Sequence, residues 1–425
     1  MVEDFSNSMH PKNSEYLRLR RRATLGFIII IIVENMVNQA TMIVLAKTPL
    51  SAYESLVGGF SGTNTAFTLA GAFYNFGKLI LIIPLALWSD KLGRRKTLLL
   101  SFSFSVISFI ILFFTTSLEI VYVARLLLGT NSFIGVVTAL INDYYPENER
   151  GRPIGYISAA MLIGYLMGSL FGPAIFTLFE SRYSFLFLDG IVLLSFLNVF
   201  LNIHDNPVQF DSTLKVDIED DPEKRSLKIV VELFRDPKFT GFIMINFFSS
   251  MVFLGSGIYW TDIILDEFGA SGPLAGLWFL PPVVADVGTY IFIPILFRNR
   301  LEKVIPFVFF LGIPASIILV LIFIDPTIVL FTIAGVVFGI LNSAVIQSND
   351  TMSLNYFPEE KKSSAIGIYK FFTIGSAVLG PPLFGLVADV TNPFFPLIFF
   401  EVMLVIVGIL YWALIQKNTT SLKFT

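Results

Sequence analysis

The amino-acid sequence predicts an all-α polytopic membrane protein, with twelve transmembrane helices arranged as two pseudo-symmetric six-helix bundles. Composition is the first basis for this prediction. Of the 425 residues, 55% are hydrophobic and 14% are charged, whereas soluble proteins carry about 25% charged residues. The second basis is a series of continuous apolar runs, each long enough for an α-helix to cross a bilayer. The third is a repeat that relates the two halves of the chain.

The apolar runs define twelve spans of roughly twenty residues each. They are continuous rather than alternating, which favours helices over the strands of an outer-membrane barrel. The spans are predicted at residues 24–46, 63–87, 97–116, 120–142, 154–178, 184–203, 239–261, 273–297, 304–324, 327–349, 365–388 and 394–416.

The distribution of Lys and Arg predicts the orientation, because cytoplasmic loops are enriched in these residues. Placing the N-terminus in the cytoplasm puts 24 of the 29 Lys and Arg residues on that side, whereas the opposite loops hold Lys47 and Arg182. Both termini are therefore predicted to be cytoplasmic, in a multi-pass protein of the cell membrane. Residues 1–22 are largely polar, so the first span is expected to remain in the protein rather than to be cleaved as a signal peptide.

A long polar segment divides the spans into two groups of six. Its charges are mixed and it contains prolines, which is typical of a solvated linker. The predicted division is a cytoplasmic tail, a first six-helix bundle, a cytoplasmic linker, a second six-helix bundle and a second cytoplasmic tail, at residues 1–23, 24–203, 204–238, 239–416 and 417–425.

A loop of the first half recurs in the second. The sequence YYPENERGRPIG, between spans four and five, is matched by YFPEEKKSSAIG between spans ten and eleven. Pro146 aligns with Pro358 and Gly155 with Gly367, each pair 212 residues apart, which is half of the chain. The shared spacing predicts a duplicated six-helix unit. Parallel repeats of this kind are a known transporter architecture.

Several chemistries are excluded or disfavoured by residue types. The chain has no cysteine, which excludes disulfides, thiolate metal sites and cysteine nucleophiles. Its two histidines, His10 and His204, lie in polar segments, so neither a metal site nor a histidine proton relay is expected. No Gly-x-x-x-x-Gly-Lys loop is present, which argues against ATP-driven transport by this chain. We therefore expect no enzyme activity, cofactor, metal or nucleic-acid partner, and a monomer in the lipid bilayer.

The loop between spans two and three carries a recognisable motif. Its sequence, ALWSDKLGRRK, resembles the Gly-x-Leu-Ala-Asp-x-x-Gly-Arg-Arg/Lys signature of the major facilitator superfamily. The matching residues are Asp90, Gly93, Arg94 and Arg95, while an alanine stands where the signature has glycine and a tryptophan where it usually has leucine. The resemblance implies a gating motif in which Asp90 and the arginines close the cytoplasmic side in the outward-open state. The simpler interpretation is a positive-inside anchor.

Two further stretches resemble the same family. RLLLGT in span four fits its Arg-x-x-x-Gly motif, and the resemblance implies that Arg125 faces the cavity and influences proton binding; a buried structural ion pair is the alternative. GYLMGSLFGP in span five resembles the family's antiporter motif, although AIF follows where paired glycines are expected. Small residues at this spacing also allow close helix packing. The residues concerned in span five are Gly164, Gly168, Gly172 and Pro173.

Charged residues inside spans cost about 2.5–3.5 kcal/mol each on insertion scales and indicate function by default. Glu34 shares one helix face with Asn38 and Thr41, which predicts that this face lines the central cavity. Glu34 is a candidate proton-coupling carboxylate, or alternatively a structural partner for a basic residue such as Arg125. Asp286 in span eight is the second proton-coupling candidate. The seven charged positions are Glu34, Lys78, Arg125, Asp189, Asp286, Lys370 and Glu401.

A polar stripe runs along span two. Its members are spaced by four, three, four and three residues, which places them on one helix face. Lys78 at its end either contacts substrate or forms a salt bridge within the bundle. The stripe is Asn64, Thr68, Gly71, Asn75 and Lys78.

Other polar residues in the second half are weaker candidates. Asn246 and Asn342 are expected to line the cavity. Lys370 either contacts substrate or extends to the membrane interface. Asp189 and Glu401 lie in spans six and twelve, which the resemblance places at the periphery, so structural pairing is favoured for both.

The sequence predicts a secondary active transporter that moves a small organic solute by alternating access and is coupled to protons. The family resemblance leans toward proton-coupled drug or metabolite exporters. An uncoupled facilitator is the alternative, and a membrane receptor or sensor is disfavoured. The charge of the substrate stays open, because Lys78 and Arg125 favour an anion whereas Glu34 and Asp286 favour a cation or a hydrophobic drug.

Overall fold

The computed structural model describes residues 14–48, 53–56, 63–131, 134–145, 151–204, 232–270, 273–297, 303–356 and 362–416. In these ranges the backbone is helical apart from short turns and an isolated bridge between Glu54 and Ser117. This confirms the predicted all-α class. Most of the predicted linker, both ends of the chain, and Pro146 and Pro358 of the repeated loop lie outside the described residues.

The helices follow the predicted spans in order. Their bounds are α1 Ser14–Lys47, α2 Asn64–Leu92, α3 Arg94–Phe114, α4 Leu118–Leu128, α5 Ile134–Tyr144, α6 Gly151–Asn202, α7 Pro237–Asp262, α8 Leu280–Leu296, α9 Val304–Ile324, α10 Ile328–Tyr356, α11 Lys362–Val390 and α12 Ile398–Leu410. Short 3₁₀ segments lie at Gly129–Asn131, Pro273–Trp278 and Phe395–Leu397, and π-helical turns extend α7 and α12 at Ile263–Glu267 and Tyr411–Gln416.

Three spans differ from a single separate helix. Span four consists of α4 and α5, joined through the 3₁₀ turn at Gly129–Asn131 and two residues beyond the described ranges. Spans five and six are both within α6, which bends at Glu180, where φ is 58°. Helices α7 to α12 correspond to spans seven to twelve. By length and composition, eight helices of the described part are apolar enough to cross a membrane.

Buried apolar side chains form two hydrophobic clusters. One draws its members from residues 23–203, and the other from 233–415 together with Ile43 of α1. Large apolar side chains such as Leu194 and Phe310, each 68% exposed, cover the outside. Such a surface is stable against lipid tails rather than water. Each bundle therefore has its own core, and the face between the bundles is left for polar groups.

The two bundles meet at the end that the Lys and Arg distribution predicts to face outward, here called the outer end. Asp389, near the end of α11, accepts four hydrogen bonds at the start of α2, from the backbone and side chains of Asn64 and Thr65, at 2.5–3.0 Å. Lys47 of α1 donates to the carbonyl oxygen of Ala270. The bundles are therefore joined by charge-assisted hydrogen bonds at this end.

Close backbone packing accompanies these bonds. A side chain at Gly385 would place its Cβ 2.3 Å from Thr68 Oγ1, and one at Gly276 would place its Cβ 2.6 Å from the carbonyl oxygen of Ser169. Real Cβ atoms do not approach this closely, so α11 and the segment before α8 press directly on the first bundle. The outer end is closed in this structure.

Candidate functional site

Glu34 of α1 and Lys78 of α2 form a buried ion pair. Lys78 Nζ lies 3.0 Å from Glu34 Oε1, and the two side chains are 17% and 2% exposed, respectively. Buried charges are stable only when they are paired and hydrogen-bonded. The structure thus joins two residues for which the sequence left several partners open, and the partner of Glu34 is Lys78 rather than Arg125.

Arg125 of α4 is held by neutral groups. Its Nε donates to the carbonyl oxygen of Ala70 at 3.1 Å, and Nη2 donates to Asn38 Oδ1 at 2.9 Å. Arg125 is only 1% exposed, and its Nη1 has no hydrogen-bond partner among the described residues. No carboxylate pairs with it in the described part of the chain, so the positive charge is buried without a counter-charge.

Tyr74 connects the two cations. Lys78 Nζ lies 4.5 Å from the centre of the Tyr74 ring, and the guanidinium carbon of Arg125 lies 4.8 Å from the same centre. A cation near an aromatic face is attracted by the ring quadrupole. We missed Tyr74 in the sequence, although it lies one helical turn before Lys78 and so shares its face. These four residues, Glu34, Tyr74, Lys78 and Arg125, are called the cationic cluster below.

Two glycines explain how α4 comes close enough to build this cluster. A side chain at Gly129 would place its Cβ 2.1 Å from the carbonyl oxygen of Tyr74, and one at Gly77 would place its Cβ 2.2 Å from that of Leu126. The backbones of α2 and α4 are therefore in direct contact. The Arg-x-x-x-Gly spacing brings Arg125 to the ring because the glycine four residues later removes the steric barrier.

The span-five glycines lie against α1. A Cβ at Gly164 or Gly168 would lie 2.6 Å or 2.5 Å from the carbonyl oxygens of Ile32 and Met36, and Gly172 packs on Ile43. Small residues allow two helix backbones to approach this closely. The contact fixes the rotation of α1, and hence the direction of its polar face. Pro173 is buried one residue further along α6.

The α2 stripe lies at the boundary between the bundles. Asn75 donates to the carbonyl oxygen of Ala377 in α11 at 3.2 Å, and Asn64 bonds to Asp389 at the outer end. Lys78 follows Asn75 by three residues, so it lies almost one turn deeper on the same face. The cationic cluster is therefore next to the surface where the two bundles meet.

Asp286 of α8 has a different environment. Ser343 Oγ of α10 donates to its Oδ1 at 2.9 Å. A side chain at Gly339 would place its Cβ 2.7 Å from the same oxygen, so α10 covers the carboxylate closely. Among the described residues no cation pairs with Asp286. In the described part of the chain, the carboxylate is held by the hydroxyl group of Ser343.

The other candidates of the second bundle lie in separate places. Asn246 donates to Thr373 Oγ1 at 2.5 Å, between α7 and α11. The side chain of Lys370 is 55% exposed and pairs with Asp350 at 3.7 Å. Asn342 lines a small internal cavity with room for about one water molecule, together with Ser249. We did not identify Asp350 in the sequence because it follows the predicted end of span ten.

The signature loop forms a sharp turn. Gly93 has φ 96° and separates α2 from α3; glycine adopts such a conformation without the strain that a Cβ causes. Arg94 Nε pairs with Asp143 Oδ2 of α5 at 3.3 Å, and Arg95 Nη2 donates to the carbonyl oxygen of Phe200 at 2.6 Å. These contacts hold the loop on the first bundle. The side chain of Asp90 lies outside the described part of the structure.

Two helical bundles that carry ionisable residues within their spans define a multi-pass membrane protein. The chain belongs to the Major Facilitator Superfamily, whose model matches residues 24–349 and 304–424. This membership makes it a transporter rather than an enzyme.

Curated relatives include drug-resistance proteins and a proton-coupled antiporter. The class H tetracycline resistance protein of Pasteurella multocida is 27% identical over 32% of this chain and 37% of its own length. The class B protein of Escherichia coli is 27% identical over 48% of this chain and 50% of its own length. The proton-coupled antiporter flippase LtaA of Staphylococcus saprophyticus is 23% identical over 78% of this chain and 81% of its own length.

Solved structures share the fold across almost the whole chain. A bacterial homologue of the lysosomal transporter Spinster, in an inward-facing conformation, superposes with a TM-score of 0.75 at 15% identity, covering 93% of this chain and 96% of its own. A D-xylose–proton symporter gives 0.73 at 15% identity, covering 94% and 98%. At this identity the likeness defines the fold alone.

Proposed function

We propose that this protein is a proton-coupled secondary active transporter, which moves a small organic solute by alternating access. The observation that carries the proposal is the contrast between two acids inside the spans, one buried and one half-buried. Asp286 is held by a hydroxyl group, so it can bind a proton without breaking an ion pair. Glu34 is paired with Lys78, so a proton there would release the lysine. A membrane-embedded ionisable residue is a functional candidate by default.

The names of two similar proteins support proton coupling. LtaA is described as a proton-coupled antiporter, and the xylose transporter as a proton symporter. An antiporter moves the proton and the solute in opposite directions, whereas a symporter moves them in the same direction. The two names therefore leave the direction of coupling open. We propose that Asp286 binds the coupled proton. Glu34 and Arg125, in the first bundle, are the second group of residues that take part in proton coupling.

The closed outer end supports an alternating-access cycle. Asp389 and the start of α2 hold the outer end shut here, and opening it requires these bonds to break. In the opposite state we propose that the signature loop, with Asp90, Gly93, Arg94 and Arg95, closes the cytoplasmic side. We also propose that the protein lies in the cell membrane with both termini in the cytoplasm, as the distribution of Lys and Arg predicts.

The proposal is tested with purified protein in proteoliposomes that contain a pH-sensitive dye. Tetracycline, a hexose, a lipophilic cation and an aromatic carboxylate are added separately, with and without a pH gradient. We expect one of these probes to cause proton movement in the wild type and little movement in Asp286→Asn. Asp189→Asn is the matched control, because Asp189 is a buried carboxylate away from the cationic cluster.

An uncoupled facilitator is the second candidate. One observation favours it: Glu34 and Lys78 already neutralise each other, so no proton is needed to balance them. Solute flux that is independent of the pH gradient, and unchanged in Asp286→Asn, would favour this candidate and remove proton coupling.

A further inference from the structure

We propose that Lys78, Tyr74 and Arg125 form a subsite for one acidic group of the transported solute, a carboxylate or a phosphate. The inference rests on the proposed transport function. It adds the chemical class of the solute, which is bound by residues of the first bundle. It therefore chooses between the anionic and cationic substrates that the sequence left open.

The charge balance of the cationic cluster is the first step. It holds one acid, Glu34, and two bases, Lys78 and Arg125, all buried or mostly buried. A guanidinium stays protonated at any accessible pH, and leaving a buried charge without a partner is strongly unfavourable. Asp286 can be neutralised by a proton, but Arg125 cannot lose one. An anion is thus the partner that would balance the positive charge of the cationic cluster.

An unused donor is the second step. Arg125 Nη1 has no hydrogen-bond partner among the described residues, and Arg125 is only 1% exposed. The Tyr74 hydroxyl lies beside Lys78 and Glu34 and interacts with both. Guanidinium groups bind carboxylate and phosphate oxygens through parallel N–H donors. Arg125 therefore supplies a donor that an acidic group can use.

Access is the third step. Lys78 is the most exposed member of the cluster, at 17% of its side chain, and it lies on the α2 face that meets α11. A solute between the bundles would reach Lys78 first and the ring of Tyr74 behind it. Arg125 is deeper, so it is engaged when the acidic group has displaced the contact between Lys78 and Glu34.

Competition for Lys78 distinguishes an anion subsite from a purely structural ion pair. Glu34 and the acidic group of the solute would share the same ammonium. Removing the negative charge of Glu34 should therefore strengthen anion binding, whereas damage to a purely structural ion pair would weaken or abolish it.

The experiment measures ligand-induced thermal stabilisation of the purified full-length protein. The probes are naphthalene-2-carboxylate, the neutral carboxamide of the same ring, and naphthalen-2-ylmethylammonium, which differ in charge but little in shape. We expect the carboxylate to bind at least about tenfold more tightly than the amide, since hydrogen bonds to charged groups are the stronger ones. Lys78→Gln should remove this preference.

Glu34→Gln should tighten carboxylate binding by severalfold, and it keeps the result interpretable if Lys78→Gln does not fold. Lys303→Gln, which removes an exposed lysine at the start of α9, is the control and should leave the preference unchanged. Equal binding of the three probes, or absence of carboxylate binding up to about 10 mM, would overturn the subsite. Weaker carboxylate binding in Glu34→Gln would overturn it as well.

The two proposals fail in different ways. Proton flux that depends on Asp286, without any preference for the carboxylate probe, would reject the subsite and keep proton coupling. Carboxylate selectivity together with solute flux that is independent of the pH gradient would support the subsite and reject proton coupling.

Discussion

The two bundles share one topology but hold different ionisable groups inside it. The first holds Glu34, Lys78 and Arg125, of which only the first two neutralise each other. The second holds Asp286, bonded to Ser343. The same topology therefore holds the cationic cluster in the first bundle and an acid bonded to a hydroxyl group in the second. The difference separates two tasks, since an acid can bind a proton while a guanidinium must be balanced by another group.

The largest effect is expected at Lys78. Lys78→Met should lower stability by about 3–5 kcal/mol, because removing one partner of a buried pair leaves the other charge uncompensated. The melting temperature in detergent measures the loss. Adding Glu34→Gln to this variant should restore most of it. Asp286→Asn breaks no ion pair and should cost much less; similar losses at Lys78 and Asp286 would remove the contrast between the bundles.

Packing between α2 and α4 should give the next largest effect. Gly129→Ala forces a Cβ against the carbonyl oxygen of Tyr74, and overpacking of this kind typically costs about 1–3 kcal/mol. Gly257→Ala in the second bundle is the matched control, since nothing lies within 4 Å of its added Cβ. Thermal unfolding compares the two. If Gly129→Ala is as stable as the control, the close approach of α2 and α4 is not required.

The contact between the bundles provides a conformational test. Asp389→Ala removes four hydrogen bonds at the outer end. All four are exposed to solvent, so their summed net contribution is expected to be modest. We expect the outer end to open more often. Because the natural chain has no cysteine, Thr68→Cys can report opening through its labelling by a membrane-impermeant thiol reagent.

Labelling of Thr68→Cys should be about tenfold faster in the Asp389→Ala background, which corresponds to about 1.4 kcal/mol. Leu56→Cys, in a loop residue that is 92% exposed, should react equally fast in both backgrounds. An unchanged rate at position 68 would show that Asp389 does not hold the outer end closed.

The smallest effect concerns a charge outside the bilayer. Glu119, at the start of α4, accepts hydrogen bonds from the backbone N–H of Leu56 and from Ser55 and Ser117 at 2.8–3.0 Å. These bonds, that of Leu56 first, lower the pKa of Glu119 to about 2. A carboxyl whose pKa is lowered by folding stabilises the native state above its unfolded pKa, and this contribution is lost as the pH falls toward 2.

The melting temperature of the wild type should therefore fall between about pH 5 and pH 3, around and below the unfolded pKa of a glutamate. Glu119→Gln should start lower at neutral pH and show a flatter profile over this interval. Parallel profiles for the two proteins would mean that the loop bonds do not contribute to stability.

Much of the fold could be predicted because it depends on local chemistry. Continuous apolar runs, the turn at Gly93 and the loop signature lie within short stretches of sequence, and the structure places helices on the runs. The polar face of α2 could also be predicted, since helical spacing alone puts Asn75 and Lys78 on the same side. The sequence could not identify which helix packs against that face.

The sequence by itself determined the membrane class, the helical spans and the residues that must avoid lipid. The tertiary structure alone decided that Glu34 pairs with Lys78, that Arg125 is left with Asn38 and Tyr74, and that Asp389 bonds to the start of α2. The physical reason is that hydrophobic periodicity fixes the orientation of each helix relative to lipid, but the pairing of charges depends on how closely backbones approach. At Gly77, Gly129 and Gly385 that approach is set by contacts between helices far apart in the chain.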